Sequence, residues 1–334
     1  MKRSIIYLLT ITIALITVGC DGIYYNKHNR ASNIKTSIGE PYELFVICND
    51  TPWNNYIKEA VADVLECEVP GLSRPEKYFH VVDHANFKDA TDLERKHTNL
   101  LAVNIDPTSG ETSMYIKKDV YSTPQVLATI TAPSAKDAAE YIRNNEFEVR
   151  EAFENSERIV NLQTLTASSS PEPMKLLKET TGIDMHITGG FSVAKPKDNT
   201  MKWFVRKYTN KIQHIFAFVE PCDDINNLSG TALEAMLDKR LGVIPSKGVE
   251  NSYMCINKQR KIYISAKEIN GRTWYELRGC WRVEGDQMGG PLVSYSTYDN
   301  DKKELITIVF AMYSPEIYQR RDMAQMENMI FLTR

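Results

Sequence analysis

Apolar positions follow two different periods along this chain, and the changes of period mark out its elements. Behind Lys2 and Arg3, residues 5–18 run without a charge, and residues 21–40 are then polar with no periodic apolar pattern. Order is expected from Tyr42, because Glu43-Leu-Phe-Val-Ile-Cys-Asn49 is a continuous apolar run, the pattern of a strand buried on both faces. Thr51 as N-cap and Pro52 at the first helical position predict a helix start, and Trp53, Ile57, Ala60, Val61, Val64 and Leu65 share one helical face. Pro70, Gly71 and Pro75 read as a loop before a strand at 78–82. A helix over 87–98 and strands over 100–105, 114–118 and 125–132 follow. Ser134 with Asp137 three residues on resembles a capping box. It predicts a helix broken near Asn144-Asn145 and resumed to about Asn155.

Ser168-Ser169-Ser170-Pro171-Glu172-Pro173 is a cluster of turn and linker residues, which predicts a domain boundary. Beyond it the pattern gives a short helix over 172–181 and strands over 184–193, 202–208 and 213–219, the last two joined as a hairpin through Thr209-Asn210-Lys211. A helix over 231–241 leads to strands over 253–257, 261–266, 273–284, 292–298 and 305–313, and Met323, Met326 and Ile330 mark one face of a closing helix. Across 273–284 the alternation is regular. Tyr275, Leu277, Gly279, Trp281 and Val283 fall on one side, Glu276, Arg278, Arg282 and Glu284 on the other, as in an antiparallel sheet with one buried and one solvated face. The fold class expected is α+β: two α/β subdomains, 41–167 and 168–334, with mixed to antiparallel sheets, the second mainly antiparallel with flanking helices.

The first twenty residues say where the protein resides. A positive start, a short apolar run and Thr17-Val18-Gly19-Cys20 have the form of a lipoprotein signal, cut after residue 19 to leave an acylated Cys20. The run is too short for a membrane span, which needs about 20 apolar residues. Residues 20–40 then read as a lipidated cysteine and flexible tether, and stable anchoring by several acyl chains is expected. The leader carries two of the 40 Lys and Arg residues, so the mature chain sets 38 against 43 acidic residues. That balance offers no electrostatic footprint for nucleic acid. Five cysteines remain, Cys48, Cys67, Cys222, Cys255 and Cys280. Cys48 and Cys67, at opposite ends of a helix, are expected as buried thiols, and a disulfide between Cys255 and Cys280 stays open.

Candidate chemistry is sparse. Gly285-Asp-Gln-Met-Gly-Gly-Pro291 has the glycine-rich form found around a serine-protease nucleophile, but neither hydroxyl nor thiol occupies the nucleophile's place. It reads first as a turn in which Gly289 and Gly290 take backbone angles closed to other residues, and second as a backbone nest for an anion. His80-Val-Val-Asp-His84 offers two imidazoles and a carboxylate, but on a strand those histidines lie about 13 Å apart, and no metal or cofactor is expected. The polar ladder of Glu276, Arg278, Arg282 and Glu284 is explained by cross-strand ion pairing. Glu276, Arg278 and Arg282 with Asp286, Gly289 and Gly290 form the candidate ligand or partner surface, on which loss of Arg278 is expected to cost under about 1 kcal/mol. The acidic loops at Cys222-Asp-Asp-Ile-Asn-Asn and Asp299-Asn-Asp-Lys-Lys lack calcium-loop spacing.

Trp203-Phe-Val-Arg206, Asn251-Ser-Tyr-Met254, Glu276-Leu-Arg-Gly-Cys-Trp281, Met288-Gly-Gly-Pro-Leu292 and Tyr313-Ser-Pro315 together resemble an uncharacterised lipoprotein family of Bacteroidetes-type bacteria, domain of unknown function 4837. The resemblance extends over nearly the whole mature chain. It implies an envelope lipoprotein without an assigned activity, so no catalytic residues carry over. The function expected is a lipid-anchored binding or scaffolding module of the cell envelope, on the outer membrane rather than the inner, held to the membrane through Cys20 and meeting an envelope protein partner. The alternative is an envelope hydrolase using a pair of carboxylates distant in sequence.

Overall fold

The structure, a computed structural model, describes residues 35–195, 201–225, 228–246 and 248–334. The leader, Cys20 and the expected tether up to residue 34 lie outside the described residues. The tether's expected last residues do not: β1 (Lys35–Thr36) pairs in parallel with β6 (Ser122–Thr123), and Ile38 bridges to His97. Hydropathy misses this because a two-residue exposed strand buries no apolar side chain.

The first sheet is built around β2 (Glu43–Ile47), whose Leu44, Phe45, Val46 and Ile47 are all buried, as the continuous apolar run predicts. The chain then turns into a helix of three segments, α1 (Asp50–Pro52), a π-helical turn (Trp53–Ile57) and α2 (Lys58–Leu65). Its cap is Asn49, so Pro52 sits two residues deeper than the Thr51-Pro52 reading expects. All six residues of the predicted apolar face are buried. Strands β3 (His80–Ala85), β4 (Asn99–Ile105), β5 (Ser113–Lys118) and β7 (Val126–Ala132) complete a five-stranded sheet in the order β3-β2-β4-β7-β5, parallel except for β5 at its edge. One face packs on the first helix and on α3 (Ala135–Asn144) and α4 (Glu146–Leu165). The other face is a smaller cluster of Phe45, Ile47, Leu100, Ala102 and Leu127 under Phe87 and Ala90.

Three expectations fail in this half and its exit. Over 87–98 only Glu94–Lys96 is helical, a single 3-10 turn. The Arg95 guanidinium takes the carbonyls of Phe87 and Ala90 at 2.7 and 3.3 Å, and Thr91 and Glu94 cap one another, so the helical ladder never propagates. Helix α4 runs ten residues past Asn155, because its polar Glu157 and Asn161 are buried and partnered rather than solvated. Of the strand expected over 184–193, only β8 (Ser192–Ala194) and a bridge at Met185 form, since Gly190 at φ 91° breaks the extended run.

After α5 (Pro171–Thr181) come β9 (Lys202–Lys207) and β10 (Ile212–Pro221), paired through the predicted hairpin. Then follow α6 (Gly230–Leu241), β11 (Tyr253–Ile256), β12 (Tyr263–Ile269), β13 (Arg272–Glu284), β14 (Gly289–Asp299), β15 (Glu304–Tyr313) and α7 (Arg320–Asn328) with a closing 3-10 turn (Met329–Leu332). Eight of these strands make one antiparallel sheet in the order β11-β13-β14-β15-β10-β9-β8, with β12 also on β13. Both faces are covered. Leu233, Leu237 and Leu241 of α6 pack over Phe216, Leu277 and Trp281, while α5, α7 and the closing turn pack over Trp274, Tyr295 and Phe310. Mixed and antiparallel sheets with flanking helices are the α+β class expected. No described helix is long and apolar enough to cross a membrane. The five described cysteines are free thiols, Cys255 and Cys280 included.

Candidate functional site

The Glu276–Arg278 part of the expected solvated face of β13 is covered, while Arg282 and Glu284 further along stay 44% exposed. Glu276 is 3% exposed. The cover comes from α7 on one side and from residues 68–75 of the N-terminal half on the other. Arg278 grips Glu327 of α7 with both guanidinium ends, Nη1 to Oε2 at 2.8 Å and Nη2 to Oε1 at 2.9 Å, while its Nε donates to the Pro70 carbonyl at 3.2 Å. Glu276 lies 3.6 Å from Arg278 Nη1 and accepts from Lys267 Nζ at 2.7 Å. Burial alone would pull Arg278's pKa down, but Glu327 and Glu276 carry it above its ordinary value. Burial likewise pushes Glu276 upward, and Arg278 and Lys267 outweigh it to hold the carboxyl below its ordinary range. The seam is therefore a buried, bidentate arginine–glutamate pair with a second carboxylate behind it. The two carboxylates brought together here are both engaged by cations, an arrangement that positions elements.

A second set of contacts locks the same helix. Glu76 accepts from the backbone N–H groups of Gln319 and Arg320 at 2.7 and 2.9 Å, a carboxylate placed where a helix start presents free donors. Gln319 Oε1 accepts from Ser73, and Arg320 bonds Glu154 at 3.0 Å while stacking 4.2 Å over Tyr42. Residues 70–76 thus run as a strap between β13 and α7. Gly71 makes this approach possible. It sits at φ +78°, and a Cβ there would stand 2.9 Å from the Gly279 amide nitrogen on β13.

Outside the strap lies a half-open cleft of about 160 Å³. It is lined by Glu68 and Val69 ahead of the strap, by Leu72 and Arg74 of the strap, and by Arg260, Lys261, Tyr263 and Cys280. Arg260 and Lys261 come from the turn between β11 and β12, where Arg260 N bonds the Asn257 carbonyl at 3.0 Å. Burial raises the Cys280 thiol's pKa above its ordinary value, and Sγ sits 3.7 Å from the Gly71 carbonyl. The Cys280 thiol that lines the cleft is therefore a poorer nucleophile than a free one.

The other predicted site residues are dispersed. Arg282 is 44% exposed in its side chain and pairs with Glu284 of its own strand. Asp286 accepts from Ser246 and from Gln287 N, which fastens its turn to the chain after α6. Gly289 and Gly290 belong to β14 and are not turn glycines; the residue with a positive φ is Gly285 at 87°. They face Arg282 and Trp281 in the ladder. His80 and His84 lie on β3, with His84 stacked on Trp53 and bonded to Asp50 at 3.1 Å. The acidic loop at Asp299 is an Asx turn accepting from Asp301 and Lys302, and the loop after Cys222 falls partly outside the described residues.

Sequence reasoning missed Glu327, Glu76 and the cationic wall. Glu327 had a signal: with Met323 and Ile330 it makes an i, i+4, i+7 stripe, and a carboxylate on an apolar stripe needs a buried cation. Lys258-Gln-Arg-Lys261 was also legible as a basic turn.

Residues 170–332 match the model of a domain of unknown function, DUF4837. The C-terminal half is similar to a DUF4837 domain. Its Arg278-Gly279 pair contacts the strap and α7, and its Trp281 faces Gly290, so the motifs that carry the resemblance serve packing. The resemblance does not extend to the N-terminal half under the same model, since residues 37–165 match a different domain of unknown function, DUF8532. No curated protein matches the chain. Among solved structures it is similar to LpqN, involved in cell envelope biogenesis of Mycobacterium tuberculosis, at 11% identity and a TM-score of 0.25 over 45% of this chain and 79% of that one. A likeness of that size carries no argument.

Where the N-terminal half meets α7, Glu157 is buried and accepts from Tyr42 N at 2.9 Å and Asn99 Nδ2 at 2.8 Å. Burial raises its pKa above the ordinary value despite those bonds and the pull of Arg320. An unfolded glutamate titrates near about 4.3, so the folded state holds this proton more tightly. Its contribution is fully present below about pH 4.3 and is lost as pH rises through the folded value. Glu157→Gln keeps the accepting oxygen and removes the charge. Thermal melts should show the variant gaining over the parent near pH 8, with the gain vanishing by about pH 4; a gain independent of pH would refute this account.

Proposed function

We propose that this protein is a lipid-anchored binding module of the bacterial cell envelope, on the outer membrane rather than the inner, which presents the cleft beside residues 68–75 to its ligand. The observation that carries the reading is the N-terminal segment, with Lys2 and Arg3, the uncharged run over 5–18 and Gly19-Cys20. Acylation at such a cysteine supplies several chains at about 0.8 kcal/mol per buried methylene, enough for stable anchoring. The cleft supports binding as the role, because it is concave and bounded on both sides by well-fixed elements.

Feeding cells an alkyne fatty acid should label the native protein and leave Cys20→Ala unlabelled. Membrane separation should place the labelled form in the outer-membrane fraction. Absence of Cys20-dependent label would end the lipoprotein reading, and label confined to inner-membrane fractions would correct the location alone. For the binding role, in-cell crosslinking from a photoreactive residue at position 74 should yield an adduct that the same probe at remote Lys136 does not; turnover lost on substitution of one carboxylate would favour a hydrolase instead.

A further inference from the structure

Three cations, Arg74, Arg260 and Lys261, line one cleft of about 160 Å³ and face a single carboxylate, Glu68. Elsewhere around the strap this chain pairs its arginines: Arg278 with Glu327, Arg282 with Glu284, Arg320 with Glu154. Among the described residues the three cleft cations enter no ion pair. Arg260 donates to the Ser73 carbonyl at 3.4 Å and Lys261 rests 4.7 Å over the Tyr263 ring, contacts that orient both side chains and neutralise neither. Their backbones are held by the strap and by the β11–β12 turn. The positive charge is therefore gathered by two segments about 190 positions apart in the chain, and the fold leaves it uncompensated.

We propose that the cleft binds a phosphate group, as a phosphomonoester or phosphodiester on a larger carrier. This deepens the binding-module reading and rests on it. Guanidinium forks match a phosphate's oxygens two at a time, and an ammonium adds a third direction. A carboxylate has one charge and one plane, and matches three cations lining one cleft less fully than a phosphate does. One water needs about 10–15 Å³ of cavity space, so a cleft of about 160 Å³ has room for a phosphate and the first atoms of its carrier. Val69, Leu72 and the Tyr263 ring add apolar lining for those atoms.

Two sources share this chemistry, a soluble phosphate ester and a phospholipid headgroup. Calorimetric titration of the full chain in neutral detergent, with glycerol 3-phosphate in one arm and dihexanoyl phosphatidic acid in the other, separates them. Saturable binding is expected in at least one arm. It should weaken at least tenfold in Arg74→Ala/Arg260→Ala, stay unchanged in Lys136→Ala, and resist acetate at equal concentration. Melting curves unchanged by the double substitution would show that loss of binding is not loss of fold. Binding in the lipid arm alone assigns the headgroup, and binding in the soluble arm assigns the free ester. No saturation in either arm, equal affinity in the double variant, or equal displacement by acetate overturns the proposal. A crosslinked partner at position 74 with no phosphate binding would sink the phosphate alone and leave the binding module standing.

Discussion

Arg278→Ala should destabilise the protein by about 3–5 kcal/mol, because removal of one member of a buried charged pair leaves the Glu327 carboxylate without its cation. Both Glu327 oxygens lose their donors, Glu276 loses the cation behind it, and the Pro70 carbonyl loses a hydrogen bond. The expectation from alternation alone was under about 1 kcal/mol, the value for exposed pairs. Guanidinium-chloride unfolding of the parent and variant decides between these figures. Arg278→Met with Glu327→Leu should recover most of the loss, since well-packed apolar replacements of a buried pair are often neutral. Recovery would show that the seam's cost lies in stranded charge. A loss under about 1 kcal/mol for Arg278→Ala would mean that water reaches the pair and that the strap does not cover it.

The same seam shows what a sequence of this kind discloses. Strand β2, the helix after it, β4, β7, α3 and the meander from β13 to β15 were legible, because each buries apolar side chains with one clear period. The even-numbered face of β13 was not. Its polar residues have the spacing of a solvated face, and only the tertiary placement of α7 and residues 70–76 makes Glu276 and Arg278 core while Arg282 and Glu284 stay half-exposed. The second half of α4 failed for the same reason, as Glu157 and Asn161 read as surface while they bond Tyr42. A period reports which side of an element is apolar. It does not report whether a polar side has found buried partners, and here those partners lie 49 to 208 positions away. The cleft was hidden likewise, since its walls come from a loop and a turn that no periodicity describes.

Trp281→Ala should cost about 3–5 kcal/mol, the range for emptying a buried aromatic site. The indole is 3% exposed and packs with Phe216, Leu277 and Leu292. Its Nε1 donates to the Met312 carbonyl on β15 at 3.2 Å, reaching across β14 at Gly290, its ladder partner. That path explains the glycine. A Cβ at position 290 would stand 1.9 Å from the Met312 carbonyl oxygen and 3.2 Å from the indole nitrogen, so neither strand accepts a methyl without moving. Gly290→Ala should therefore cost about 1–3 kcal/mol, the usual charge for overpacking. The two changes share one contact and should not add. In Trp281→Ala the indole is gone, but Met312's oxygen is backbone and stays, so adding Gly290→Ala should still destabilise, by less than it does alone. Urea melts of the four proteins measure the coupling. Full additivity would place the Gly290 clash entirely in the β14–β15 backbone, whereas a Gly290→Ala variant as stable as the parent would mean that β14 is free to shift and that the indole, not the glycine, holds the three strands in register.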